Sequence, residues 1–231
     1  MCITGGQIGL DKDTAALGPA PELERMRRRV AAQHTVFLEG DARTHVYVVE
    51  SGWVKLYRTL IDGQRQVVGF HDHGAILGLE GAGLYFNSCE AVTAVSLRAI
   101  PVGRLADLCA RDRDFANHLL QQVGAQLGST QSHLTTVGAQ SAEQKVATFL
   151  VAMSDHDAAG DEFDLPMRRI EMGEFLGLRL ETISRKMTEF QRRKWISLSS
   201  TYRCRILNRA VLVALADGGA LDEVEGGRLH S

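Results

Sequence analysis

Three side chains in the segment RLETISRKMTEFQRR, Glu181, Ser184 and Arg185, have the types and the spacing to read nucleobases. On a helix, positions i, i+3 and i+4 share one face. Arg185 can give two parallel hydrogen bonds to O6 and N7 of guanine, Glu181 can accept from cytosine N4, and Ser184 can touch an adjacent base edge or a thymine methyl. Glu181 and Arg185 are equally an i, i+4 pair of the kind that forms a plain helix salt bridge. Charge bears on the choice. From Leu165 to Arg209 the chain carries eleven Lys and Arg against four Glu, a local excess of seven, while the whole chain is at -2 and the remainder therefore at -9. A basic face within an acidic chain is what phosphate contact needs, although such a run is as often a solvated surface. Arg179, Lys186, Arg192, Arg193 and Lys194 are placed for backbone phosphates, which fix register and do not specify sequence.

Other reactive side chains are less well arranged. Cysteines stand at positions 2, 89, 109 and 204, with no C-x-x-C and no spacing that a zinc site, an iron–sulfur cluster or a disulfide framework requires. They read as free thiols of a reducing cytosol. Cys204, between Arg203 and Arg205, is the candidate redox residue, because nearby cations lower a thiol pKa. Alternation instead groups it with Ile206 on an inward face, where a thiol is inert. His71 and His73 in FHDHG could ligate a metal or haem, but two histidines at i, i+2 in a polar corner are more often solvated. No metal or other cofactor is expected. An enzyme of the cupin type would need clustered His and Glu ligands, which the scattered His34, His45, His71 and His73 do not make.

These residues need elements to hold them, and 231 residues at 45% hydrophobic and 23% charged suffice for two modest cores. The N-terminal stretch carries Asp11, Lys12 and Asp13 where a signal peptide needs its apolar run, and no window approaches 18 uninterrupted apolar residues, so neither secretion nor membrane spanning is expected. Residues 1–33 form a leader of no clear period. From His34 to 103, short stretches rich in Val, Phe, Tyr and Leu alternate with turn signals, predicting a small antiparallel roll or barrel. Within it HVYVVESGWVKLYRTL and IDGQRQVVGF read as two strands closed at Asp62-Gly63. Residues 104–138 turn helical. Leu120, Val123, Leu127, Thr130, Leu134 and Val137 fall at a/d spacing, which fits a core helix or a two-stranded coiled coil. Gly124, Gly128 and Gly138 each cost that helix roughly 1 kcal/mol relative to Ala, so it leans on a partner.

The last stretch, 139–212, opens with EQKVATFLVAM, apolar along one stripe, followed by the acidic loop SDHDAAGDEFDLP. Two short amphipathic runs follow at about 169–188, separated by Leu176-Gly177-Leu178. Ile170, Phe175 and Leu176 would pack against Leu178, Ile183 and Met187 as a helix-turn-helix. KWISLSS and YRCRILN then alternate as the two strands of a wing, and 213–231 is a tail.

At this point the residues become recognisable. GEFLGL with RLETISRKMTEFQRR resembles the DNA-reading element of the CRP/FNR superfamily of bacterial transcription regulators, whose Glu-x-x-Ser-Arg pattern stands here as Glu181, Ser184 and Arg185. F-L-E-G-D, V-x-S-G-x-V-K-L-Y, D-G-x-R-Q-V-V-G-F and the corner AILGL agree in order over about residues 34–212, nearest to the FNR and FixK-like branch. The resemblance implies an α+β fold: a cyclic-nucleotide-binding-domain-like jelly roll, a long dimerisation helix and a winged helix-turn-helix. It further implies a cytoplasmic homodimer on a TTGAT-type palindrome, with RNA polymerase as partner and activation the default. Two-fold symmetry would place the half-sites about one helical turn apart.

Two departures from the superfamily narrow the expected control. No Arg or Lys stands between Arg65 and Arg98, and Asn87-Ser88-Cys89-Glu90 occupies the stretch where nucleotide-binding members carry the cation for the cyclic phosphate; Glu90 would repel it. The FNR-type cluster needs several N-terminal cysteines and one in the roll, whereas only Cys2 is N-terminal and Arg98 stands near the central ligand's place. What is left is FixK-like control without an effector, in the context of anaerobic response and nitrogen fixation. The rival is a haem- or small-ligand-dependent sensor answering nitrogen oxides or redox state.

Overall fold

A computed structural model describes residues 3–4, 26–81, 83–157 and 162–219. Most of the leader with Cys2, part of the acidic loop and the tail from 220 lie outside them. The chain divides into two compact units, one ending at Thr130 and one beginning at Gln131.

The first unit is a two-sheet roll. One sheet runs β1 (Ile3–Thr4), β6 (Arg65–His71), β5 (Val54–Thr59), β8 (Ser88–Ala91), β3 (Thr35–Phe37); the other runs β2 (Arg27–Val30), β9 (Val95–Pro101), β4 (His45–Ser51), β7 (Ile76–Leu77). Arg27–Val30, unassigned from sequence, pairs antiparallel with Val95–Arg98. The turn at Asp62-Gly63 closes β5 on β6, with Gly63 at φ 81° and Leu60 bonded across to Gln64. The single strand expected through HVYVVESGWVKLYRTL is two, however. The break is at Gly52, φ 82°, where a Cβ would lie 2.3 Å from the Ala94 carbonyl, so the chain can turn there and pass from one sheet to the other.

β4 shows why the roll holds two helices beside it. Tyr47 and Val49 face the inter-sheet core with Phe37, Leu56, Leu77 and Leu97. Val46 and Val48, on the alternate face, join Ile76 and Ile100 in a second cluster with Leu108 and Phe115. Leu108 belongs to α1 (Val102–Arg111) and Phe115 to α2 (Arg113–Ala139). The continuous helix expected over 104–138 is therefore two, and Asp112 divides them. Its Oδ1 accepts from the backbone N–H of Asp114 (2.9 Å) and Phe115 (3.0 Å), which caps α2.

The second unit takes in the end of α2, then α3 (Ala142–His156), β10 (Glu162–Asp164), α4 (Arg169–Leu176), α5 (Leu180–Arg192), β11 (Ile196–Ser200), β12 (Arg203–Ile206) and α6 (Arg209–Ala216). Ser141 and Gln144 form a capping box at the start of α3. The core is built from Phe149, Leu150, Phe175, Leu176, Ile183, Phe190 and Leu212, all fully buried. β10, β12 and β11 form one antiparallel sheet in that order.

Candidate nucleic-acid interface

α4 and α5 meet through a turn that two glycines permit. Gly177 caps α4 in the left-handed region, φ 64° and ψ 40°. Gly173, a turn earlier, lies so close under Leu178 that a Cβ there would be 2.5 Å from the Leu178 carbonyl oxygen. The sequence reading singled out Gly177 and missed Gly173. Phe175, Leu176, Ile183 and Met187 are buried between the helices as expected. Ile170 is not: it is 46% exposed, because the inward positions of α4 are Met172, Gly173, Phe175 and Leu176.

α5 buries Ile183, Met187 and Phe190, at spacings of four and three, so its opposite face is free. Glu181, Ser184, Arg185 and Thr188 all lie on that exposed face, with Arg192 a turn further on. Leu180, 41% exposed at the first helical position, joins them and was not singled out from the sequence. Arg179 precedes the helix as N-cap, and Lys194 follows it in the left-handed region, φ 58°.

The cations divide into two groups. Lys186, expected on phosphates, is 15% exposed and held by Glu143 and Glu189, which keep its ammonium charged against the cost of burial. Arg193 pairs with Glu189 at 3.2 Å and stacks over Trp195 with its guanidinium 5.1 Å from the ring centre. At both residues a phosphate would have to displace a carboxylate already in place. The wing behaves likewise: Glu162 accepts from Arg203 at 3.0 Å and from Arg205 at 2.5 Å, and Asp164 is 3.6 Å from Arg203. Arg209 is paired with Asp155. Four carboxylates from outside the counted stretch, Glu143, Asp155, Glu162 and Asp164, thus bring its excess of seven down to three. Arg179, Arg185, Arg192 and Lys194 carry no ion pair among the described residues.

Cys204 lies on the inward side of β12, fully buried, and burial pushes its thiol up to about 12. The two arginines beside it in sequence face outward to Glu162, so the thiolate activation that their adjacency suggested has no geometric basis.

In the roll, His71 and His73 point to different surroundings. His71 is buried, its imidazole pushed down to about 4 by desolvation. His73 is exposed, its Nδ1 2.8 Å from the Glu50 carbonyl oxygen. Among the described residues no three His, Cys, Asp or Glu side chains stand together as a metal set. Glu90 is bound to Lys55 at 2.8 Å and to Arg65 at 3.1 Å, cations that neighbouring strands bring to it. Arg98 is buried against Glu50, which also accepts from Arg27 and Ser96. A cavity of about 330 Å³ opens between the roll and α2, lined by Leu56, Arg58, Val68, His71, Glu80, Phe86, Asn87, Val123, Gln126, Leu127 and Thr130.

On the seam of α2, Leu120, Val123, Leu127 and Leu134 are 70, 44, 59 and 68% exposed, with Thr130 exposed and Val137 half-buried. No helix among the described residues is long and apolar enough to cross a membrane.

Comparison with known proteins adds two family matches: a cyclic nucleotide-binding domain over residues 27–112 and a Crp-like helix-turn-helix domain over 144–215. The nitrogen fixation regulation protein FixK of Rhizobium meliloti is 32% identical over 202 residues, covering 87% of this chain and 92% of that protein. The transcriptional activator protein FnrA of Stutzerimonas stutzeri is 30% identical, covering 87% and 84%. Among solved structures, FixK2 from Bradyrhizobium japonicum superposes with a TM-score of 0.78 at 29% identity, covering 84% of this chain and 98% of that one.

Proposed function

We propose, because the chain belongs to the CRP/FNR family of DNA-binding transcription regulators and to its FixK-like branch, that it recognises a TTGAT-type palindrome as a cytoplasmic homodimer without an effector. The family is one of regulators, not enzymes. One observation carries the proposal: Glu181, Ser184 and Arg185 share the exposed face of α5, and three cations without carboxylate partners among the described residues, Arg179, Arg192 and Lys194, flank it. Arg185 reads a guanine, Glu181 a cytosine and Ser184 the base beside them, while the flanking cations hold phosphates. Leu120, Val123, Leu127, Thr130, Leu134 and Val137 form the seam with the second copy; four exposed large apolar side chains in an a/d row support it. Bound upstream of a promoter, such a dimer recruits RNA polymerase, and activation is its default.

A second reading, in which a small ligand conditions DNA binding, is favoured by the 330 Å³ cavity, since it adjoins the seam through Val123, Leu127 and Thr130. Fluorescence anisotropy separates the two readings. Protein purified in air is titrated into a TTGAT-N4-ATCAA duplex and a scrambled one, with no ligand added. Selective binding is the expected result. Selectivity that emerges only without oxygen, or with an added ligand, favours the second reading, and none under any condition refutes both.

A further inference from the structure

The last two turns of α2 meet α4 in an aromatic contact. His133 is 7% exposed and lies flat on Phe175, ring centres 4.0 Å apart and planes 14° from parallel. Phe175 in turn meets Phe149 of α3 edge-on at 5.9 Å. Phe175 belongs to α4, whose Gly173 and Gly177 set the approach of α5, so the imidazole is two contacts away from the base-reading face. It also adjoins Leu134 of the seam in sequence. The imidazole also hydrogen-bonds the Phe175 backbone, while its Nδ1 has no hydrogen-bond partner, a cost that a ring placed for packing alone would not carry.

We infer that the His133–Phe175 stack is the joint that fixes the recognition helix at a set angle to the dimer helix, making His133 a positioning residue for the spacing between half-sites. This rests on the proposed dimeric DNA reading. Its chemistry is geometric: a flat stack has a preferred relative orientation of its two rings and so resists tilt of α4 on α2, whereas an aliphatic contact sets no orientation. Val137 stands beside Gly177, 3.4 Å from where a Cβ on that glycine would lie, and Gln140 donates to the Ala216 carbonyl at 2.9 Å. These keep α2 attached when the stack is lost, so removal should loosen the angle without detaching the helix.

The test uses the full chain, wild type, His133→Ala and His133→Phe, on palindromes with spacers of three, four and five base pairs. Wild type and His133→Phe should prefer one spacer to the same degree. In His133→Ala that preference should fall by about two- to tenfold, the range that an aromatic pair is worth. Partial unfolding lowers the active fraction for every duplex alike and leaves the ratio untouched, so an unchanged ratio in His133→Ala overturns the inference, as does a His133→Phe that behaves like His133→Ala.

A second readout is independent of DNA. Spin labels at Gln131→Cys and Thr188→Cys, with Cys2 and Cys109 replaced by Ser and labelled chains diluted in unlabelled protein, report the angle within one protomer. One narrow distance in wild type and His133→Phe, broadened in His133→Ala, is expected; an equally narrow distance in His133→Ala refutes the joint. Should wild type bind no palindrome, the functional reading fails while the distances still decide on the joint.

Discussion

Arg185 extends into solvent from α5, whereas Lys186, beside it in the chain, is held between Glu143 and Glu189. Substituting each by Ala therefore gives opposite outcomes. Arg185→Ala should cost about 1–3 kcal/mol of DNA affinity and relax preference at a single base pair, as read by competition among single-base variants of the site. Lys186→Ala should leave the base preference as it is and lower unfolding stability by about 1 kcal/mol, because Glu143 and Glu189 lose their common partner. A second residue-scale prediction concerns His133, whose imidazole burial pushes down from 6.5 to about 4. The folded state thus binds fewer protons than the unfolded one in that window, and stability contributed by the neutral ring is complete above about pH 6.5 and lost as pH falls toward 4. The difference in unfolding free energy between His133→Phe and wild type should grow in favour of the variant by up to about 1.4 kcal/mol per pH unit on acidification, and a flat difference in urea titrations would contradict it.

Elements were legible where a local pattern dictates them and illegible where a distant backbone does. The a/d row of α2, the inward Ile183 and Met187 of α5 and the Asp62-Gly63 turn all follow from periodicity or from a dipeptide, and each is where the sequence puts it. The break at Gly52 depends on the approach of Ala94, forty-two residues away in the chain, and so no window of sequence contains its cause. The same holds for Glu162 and Asp164, whose part in neutralising the wing needs the β10–β12 pairing to be known first. Ile170 was misplaced because an apolar residue at a helix start was read by type, while the short α4 turns a different face inward. Gly173 supplies the element-scale prediction. Gly173→Ala puts a methyl into the Leu178 carbonyl, a backbone atom that cannot swing aside, so α4 and α5 must separate. A loss of about 1–3 kcal/mol in unfolding stability, typical of overpacking, should accompany weaker DNA binding, whereas Ala at the exposed Gly128, which meets open space, should do neither.

For the whole molecule the consequences concern assembly and charge. Leu120→Glu, at the most exposed apolar position of the seam, should weaken the proposed dimer roughly hundredfold in sedimentation equilibrium, through lost apolar burial and opposed carboxylates. Salt dependence then measures how many cations reach phosphate. With Arg179, Arg192 and Lys194 from each copy, the slope of log affinity against log salt should be about -5; if Lys186 and Arg193 also took part it would approach about -9. The Glu162 clamp on Arg203 and Arg205 has a further consequence for how such a protein searches a chromosome. A side chain that has already seated its own counterion releases none when it meets DNA, so the wing adds little to the indiscriminate grip that holds regulators on arbitrary sequence. Genomic DNA presents about 10⁶–10⁹ such competing sites. A regulator of the proposed effector-independent kind has no ligand to keep it off them, and the carboxylates seated in the wing would do part of that work by shortening each futile stop.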